Sequence, residues 1–228
     1  AEVLEHSERL HQALLNSVSH ELRTPLTGLM GAASALRDDK VAANSVHRAL
    51  LAQTIEEGAG RLNRVVENLL DMSRIAGGAL VVKDEVFELG ECASMVLERN
   101  RGMLGARPVH FAPGADVLAR GDYRLFEHVL LNLLSNIAAY TPESAPVDLR
   151  LLEAENTVGL EVADYGPGIA ETDLDKIFER FYRVPGTPAG GTGLGLSIAK
   201  ALMEEKKGSI RVRNRKQGTG CIFTLELP

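Results

Sequence analysis

Three groups of residues in this 228-residue chain have types and spacings suited to chemistry. The first is His20 followed by Glu21, with Thr24 one helical turn later. A neutral imidazole nitrogen is a competent nucleophile, and a neighbouring carboxylate can take a proton from the ring and favour the reactive tautomer. The second is Asn132 and Asn136, four apart and so on one face of a predicted helix from Tyr123 to Tyr140, where their side-chain amides can meet a metal or a phosphate. The third is a pair of glycine turns. In Asp164-Tyr165-Gly166-Pro167-Gly168-Ile169 a carboxylate stands beside backbone that glycine lets a ligand approach closely. In Gly191-Thr192-Gly193-Leu194-Gly195-Leu196 the amides after Gly193 open a predicted helix, and helix N-termini favour anions. Transfer of a γ-phosphoryl group needs such parts together: charge neutralisation, close backbone approach, a purine pocket and oxygen ligands for Mg²⁺. Taken singly each is a weak signal, since a Gly-x-Gly run is often just a turn; their order along one chain carries the weight.

Two kinds of element must position these groups. In the first third, Leu14, Val18, Leu22, Leu26, Leu29, Ala33 and Leu36 recur every three or four residues, the pattern of one long amphipathic helix. His20 points roughly 160° from the centre of that stripe, toward solvent, with Thr24 on the same side. Pro25 removes a backbone donor and crowds the carbonyl of Glu21, which predicts a bend beside His20. Asp38-Asp39-Lys40 breaks the pattern, Asn44-Ser45 reads as a cap, and Val46, Leu50, Ile55, Leu62, Val66, Leu69 and Met72 resume it until Gly77-Gly78. Two stripes this wide cannot both be covered by each other, so a second copy is expected to complete a dimeric four-helix bundle. After Gly78 the β-like runs Val147 to Leu152, Val158 to Val162, Ser209 to Val212 and Cys221 to Leu227 alternate with helical runs Leu89 to Arg101, Tyr123 to Tyr140 and Leu194 to Lys206. That mixture reads as an α/β sandwich, so the chain is α+β: a hairpin over 1–76, a linker over 77–83 and the sandwich over 84–228. The stretch between Gly166 and Gly195 is punctuated by glycine and proline and is long enough to be a functional lid.

Composition narrows the classes further. A formal net charge of -6 and a pI near 5.6 give no general attraction to nucleic acid or anionic lipid. Cys92 and Cys221 lack both the paired spacing of a zinc site and the density of a disulfide scaffold, which fits a reducing cytoplasm. No run approaches the roughly 18 apolar residues of a membrane span, and the acidic, polar start is unlike a signal peptide. A chain that opens in helix reads as a fragment of something larger. A Rossmann reading of Gly191 to Gly195 fails because no strand directly precedes the glycines, and Gly-Lys-Ser/Thr occurs nowhere.

The run Ser19-His20-Glu21-Leu22-Arg23-Thr24-Pro25-Leu26-Thr27 resembles the H-box of two-component sensor histidine kinases. Asn132-Leu133-Leu134-Ser135-Asn136 resembles their N-box, Asp164 to Ile169 the G1 box, Ile177-Phe178-Glu179-Arg180-Phe181-Tyr182-Arg183 the F-box, and Gly191 to Leu196 the G2 box; Gly218-Thr219-Gly220 sits where the family often has another glycine turn. The resemblance covers about His11 to Pro228, and the C-terminal stretch and lid are similar to potassium-sensing Kdp-type kinases. It implies a dimerisation and phospho-acceptor domain (HisKA) followed by an ATP-binding domain (HATPase_c) of the Bergerat type shared with gyrase-like and chaperone ATPases. By resemblance His20 is the phospho-acceptor, Glu21 the base, and Thr24 the residue that orients water when phosphate is removed from a partner response regulator. ATP with Mg²⁺ is the implied cofactor, bound by Asn132, Asn136, Tyr140, Asp164, Gly166, Gly168, Ile169, Phe178, Gly191, Thr192, Gly193, Leu194, Gly195 and Leu196, with Asn132 and Asn136 toward the metal. Arg180 and Arg183 either add positive charge or pin the lid. The implied partners are a response-regulator receiver domain and a second copy of the chain, with no nucleic acid, and with membrane attachment only through regions absent from this chain. The sandwich is expected to swing about Gly77-Gly78 to reach His20. His6, His11, His47, His110 and His128 lack such company and read as surface or structural. One departure stands out: where family N-boxes commonly carry a lysine, three residues after the second asparagine, this chain has Ala139. That loss of charge suggests a rival reading, a degenerate nucleotide-binding scaffold that dimerises without kinase activity.

Overall fold

The computed structural model describes residues 2–38, 41, 43–78, 82–114, 116–187, 193–205 and 207–228, with side chains from Val18 onward. The described residues divide into two units, one within residues 1–76 and one within 77–228.

The first unit is a hairpin of α1 (Glu2–Ala35) and α2 (Ser45–Ala76). Residues 36–38 turn away from α1, and the predicted break at Asp39 and Lys40 lies outside the described residues. Asn44 caps α2, its Oδ1 accepting from the amides of Val46 at 3.0 Å and His47 at 3.1 Å, which satisfies two otherwise orphaned first-turn donors. At the other end Gly78 takes φ of 62°, a left-handed conformation that terminates helices. The two helices approach closely at Gly58 of α2, which is buried. A Cβ there would lie 3.0 Å from Leu29 Cγ and 3.5 Å from the carbonyl oxygen of Pro25. Little else in this unit is covered: Ala32, Gly58 and Asp71 are its buried residues among those described, while Leu26, Met30, Leu50, Val66 and Leu70 are 43–66% exposed. A single hairpin therefore leaves open the apolar stripes that made its helices amphipathic.

The second unit is built on a five-stranded sheet ordered β2 (Val109–Phe111), β4 (Val147–Glu153), β5 (Val158–Asp164), β7 (Cys221–Leu227), β6 (Ser209–Asn214). The β2–β4 pair is parallel and the others are antiparallel. β1 (Glu85–Glu88) and β3 (Leu118–Gly121) form a separate antiparallel ribbon. The helices are α3 (Leu89–Arg99), α4 (Arg101–Leu104), α5 (Tyr123–Tyr140) and α6 (Gly195–Glu204), with a 3₁₀ turn at Lys176–Phe178. Burial alternates along β7, where Cys221, Phe223, Leu225 and Leu227 point into the core. They meet Leu160 and Val162 of β5, and the same core takes Leu130, Leu133 and Leu134 from α5 and Ile198 and Leu202 from α6. Each fully buried leucine contributes about 1.5–3 kcal/mol. The opposite face of the sheet is polar, with Arg150 and Arg213 both paired to Glu161, at 2.8 Å and 3.3 Å. Helices on one face and water on the other make a two-layer α/β sandwich.

Differences from the sequence reading are confined to short or terminal pieces. The helix predicted to run to Arg101 stops at Arg99, because Asn100 leaves helical geometry and turns its Nδ2 back to the carbonyl of Val96 at 2.9 Å. α6 begins at Gly195 and ends at Glu204, and Lys206 lies outside the described residues. β1, β2 and β3 had no sequence signal.

Candidate functional site

On α1, His20 and Thr24 are exposed and Glu21 is half-buried, so the three groups of the H-box share one accessible stretch of helix. α1 continues through Pro25, whose ring nitrogen has no hydrogen to offer the carbonyl of Glu21. Thr24 Oγ1 donates to the carbonyl oxygen of His20 at 3.1 Å, and Thr27 Oγ1 to that of Arg23 at 2.8 Å. Such back-bonding is the usual local use of threonine in a helix.

In the second unit, α5 starts at Asp122, whose Oδ1 accepts from the amides of Arg124 at 2.9 Å and Leu125 at 3.3 Å while Oδ2 accepts from Lys83 N at 2.9 Å. This anchorage sets the rotation of α5 and turns Asn132 inward, 5% exposed, with Asn136 half-buried one turn on. The Nδ2 atoms of both are buried and, among the described residues, without a protein acceptor. A buried amide donor left alone costs about 1–3 kcal/mol, so a ligand with oxygen acceptors fits these positions. The start of α6 packs on Asn132: a Cβ at Gly195 would lie 3.3 Å from Asn132 Oδ1. Gly193, at φ of 69°, is pressed against the F-box, where a Cβ would lie 2.7 Å from the carbonyl oxygen of Tyr182, and its own carbonyl accepts from Phe181 N at 3.1 Å. Leu194 is buried at the N-cap of α6, where its aliphatic side chain cannot accept from the first-turn amides, and Leu196 is half-buried. Gly191 and Thr192 lie outside the described residues.

At the end of β5, Asp164 is 7% exposed. Burial pushes its carboxyl above the ordinary range, opposed by donors from the amides of Gly166 and Cys221, the Arg215 charge and the Thr141 hydroxyl. Gly166 N donates to Asp164 Oδ1 at 2.8 Å, and a Cβ on Gly166 would meet Asp164 Oδ1 and Thr141 Oγ1, each at 3.0 Å. In front of this pair opens a cavity of about 490 Å³, lined by Ala139, Tyr140, Thr141, Pro142, Tyr165, Gly166, Pro167 and Thr219. Of the residues predicted for the site, Tyr140 and Gly166 line it, with Asp164 directly behind. Gly168 takes φ of 78°, and both backbone polar atoms of Ile169 are bonded to Asn214. Phe178 lies in the 3₁₀ turn with the Lys200 ammonium 5.7 Å from its ring centre. Arg180 and Arg183 are exposed and do not line the cavity.

Several residues of this region escaped the sequence reading. Thr141, next to Tyr140, is buried against Asp164. Arg107 is buried with Nη2 donating to the carbonyls of Ala138 at 2.9 Å and Thr141 at 2.6 Å, a cation on the negative end of α5. Asn214 and Arg215 come from the far edge of the sheet. Thr141 had a signal in its place beside the N-box; the other three act through tertiary contacts that no local pattern announces.

Comparison with known proteins is consistent across both units. The family model "His Kinase A (phospho-acceptor) domain" matches residues 10–78, and "Histidine kinase-, DNA gyrase B-, and HSP90-like ATPase" matches 121–228. The sensor protein KdpD of Escherichia coli is 37% identical over 224 residues, covering 97% of this chain, which spans 25% of that protein's length. The Acinetobacter baumannii histidine kinase AdeS superposes with a TM-score of 0.62 at 27% identity, over 91% of this chain and 96% of that one. Full-length ShkA in complex with AMPPNP superposes at 0.63 and 27% identity, over 96% of this chain and 45% of that one. With its hairpin and its sandwich each matched, and in the same order, the chain belongs to the sensor histidine kinases, as a phospho-acceptor domain followed by a histidine-kinase-type ATPase domain.

Proposed function

We propose that this chain binds ATP with Mg²⁺ in the second unit, transfers the γ-phosphoryl group to His20 and passes it on to an aspartate of a response-regulator receiver domain. The observation that carries the reading is an exposed histidine beside a carboxylate on one unit, joined in one chain to a second unit where the buried amide donors of Asn132 and Asn136 have no acceptor among the described residues. An imidazole nitrogen of His20 attacks the γ-phosphorus, the bond to the β–γ bridging oxygen breaks to leave ADP, and the ring proton passes to Glu21. Asp164 accepts from the adenine amino group, with Gly166, Gly168 and Ile169 forming the wall and Tyr140 closing the cavity side. Asn132 and Asn136 face the phosphates and the metal, which supplies charge neutralisation when bound. The amides of Gly193, Leu194, Gly195 and Leu196, with Gly191 and Thr192 before them, cradle the triphosphate. Phe178, Arg180 and Arg183 belong to the lid over it. Thr24 orients water for hydrolysis of the phosphorylated partner, which releases inorganic phosphate and restores the free aspartate. The sandwich must swing about Gly77-Gly78 for transfer to occur.

We further read the chain as a homodimer, because Leu26, Met30, Leu50, Val66 and Leu70 are apolar and open on the lone hairpin. We further propose a cytoplasmic location for this part of the protein, a reading supported by its two free thiols and by the cytosolic supply of ATP.

Radiolabelled ATP and Mg²⁺ test the chemistry. Wild-type protein gains acid-labile label and His20→Ala gains none. Because Ala139 stands where the family commonly has lysine, a second reading is a scaffold that binds nucleotide without transferring it; wild type that binds ATP yet stays unlabelled establishes that reading instead.

A further inference from the structure

The segment Asp164 to Ile169 is held by side chains rather than by backbone. Among the described residues, no backbone hydrogen bond outside the regular elements engages residues 165–169. Two consecutive residues at the end of β6 take over that work, one on each side of the glycines. Ile169 N donates to Asn214 Oδ1 at 3.0 Å and Asn214 Nδ2 donates back to the carbonyl of Ile169 at 2.7 Å, so the amide imitates the paired bonds of a strand neighbour. The same Nδ2 donates to Glu171 Oε1 at 3.1 Å, and the Cys221 thiol donates to Oδ1 at 3.6 Å. On the other side the Arg215 guanidinium lies 3.6 Å from the centre of the Tyr165 ring, whose hydroxyl donates to Asp148. Arg215 is itself fixed, with Nη1 donating to the carbonyl of Thr219 at 3.1 Å and its backbone N to that of Gly220 at 3.0 Å.

Between these grips lies the part of the loop that requires glycine. Gly168 takes φ of 78°, and a Cβ on it would lie 3.1 Å from Asn214 Oδ1. Left to itself, a glycine-rich loop of this kind samples many conformations, and ordering it would be charged against ligand affinity.

We infer that Asn214 and Arg215 are positioning residues of the nucleotide pocket, fixing the Asp164–Ile169 loop in its binding shape before nucleotide arrives. This rests on the reading of that pocket as an ATP site. Neither residue touches the reacting atoms; Asn214 acts through Ile169, and Arg215 through Tyr165 and, by its charge, through Asp164.

The test uses the full chain with ATP·Mg²⁺ titrated by calorimetry. Asn214→Ala, which removes both Ile169 bonds, is expected to weaken binding about tenfold, and Arg215→Gln, on the exposed side, about threefold. KM for ATP should rise out of proportion to any fall in the rate at saturating ATP. Amide exchange in Asn214→Ala should quicken at residues 166–171 while β7 keeps its protection. Wild-type affinity in both variants overturns the proposal, as does exchange that quickens equally across β5, β6 and β7, the mark of a general structural loss. Arg215→Gln keeps the test decisive if Asn214→Ala does not fold. A wild-type chain that binds no ATP overturns the pocket reading and this inference with it; wild type that binds, beside variants that bind equally well, overturns this inference alone.

Discussion

Asp164 is the residue whose environment makes the sharpest demand. Burial raises its carboxyl above the ordinary range, against the pull of Gly166, Cys221, Arg215 and Thr141. In the interval between the ordinary value and the raised one, the folded chain holds more protons than the unfolded chain. Its contribution to stability is therefore fullest below the ordinary carboxylate value and declines as pH climbs through the raised one. Nucleotide binding runs in the opposite direction, since only the ionised carboxylate is a pure acceptor for an adenine amino group. ATP affinity should fall on acidification with a midpoint above that of a free aspartate, and Asp164→Asn should remove that pH dependence; calorimetric Kd values across the acid range check both. Ala139 makes the second demand. It is exposed and lines the cavity, so a longer side chain has room. Ala139→Lys should lower KM for ATP by about three- to tenfold through a charge-assisted contact, read in the labelling assay. An unchanged KM would mean that this position faces away from the phosphates.

At the scale of elements, the helices were legible and the short strands were not. α5 was readable at both ends because Asp122 precedes it as a cap and Thr141-Pro142 follows it, and its apolar spacing marks one inward face. β5 and β7 announced themselves through β-branched and aromatic residues with period two. β1 (Glu85–Glu88) and β3 (Leu118–Gly121) gave no signal, since four residues each cannot establish a period; they are strands only because each supplies the other's hydrogen bonds. The site shows the same division. Asp164, Asn132 and the glycines were visible as motifs, whereas Arg107 and Asn214 are brought there from residues dozens of positions away by the sheet. The glycine turn at 218–220 illustrates why such an element tolerates so little. Gly220 has φ of 109°, and a Cβ on it would overlap the carbonyl oxygen of Asp164. Gly220→Ala should destabilise the second unit by about 2–4 kcal/mol through backbone strain and overpacking, visible as a lower urea midpoint for the unfolding of that unit with the helical signal of the hairpin retained.

For the molecule as a whole, the hairpin is the part that one chain does not complete. Among the described residues, its large exposed apolar side chains come in pairs one turn apart: Leu26 with Met30 on α1, Val46 with Leu50 and Val66 with Leu70 on α2. Each pair lies along a helix surface as a ridge, the form in which helices pack against further helices. Covering one such side chain contributes about 1.5–3 kcal/mol when it is fully removed from water, so a symmetric contact that covers the α1 pair in both copies accounts for several kcal/mol of association. Leu26→Glu with Met30→Glu would place four carboxylates in that contact and should weaken dimerisation by at least about a hundredfold, read as a monomer in sedimentation at concentrations where wild type is dimeric. ATP binding should persist in this variant, because every described residue assigned to the nucleotide pocket belongs to the second unit. The labelling result then divides two arrangements that the hairpin alone leaves equal. Label retained in the monomer means that each sandwich serves the histidine of its own chain, and label lost means that it serves the partner's. A double variant that still sediments as a dimer would show that the second copy packs on α2 rather than on the Leu26–Met30 ridge.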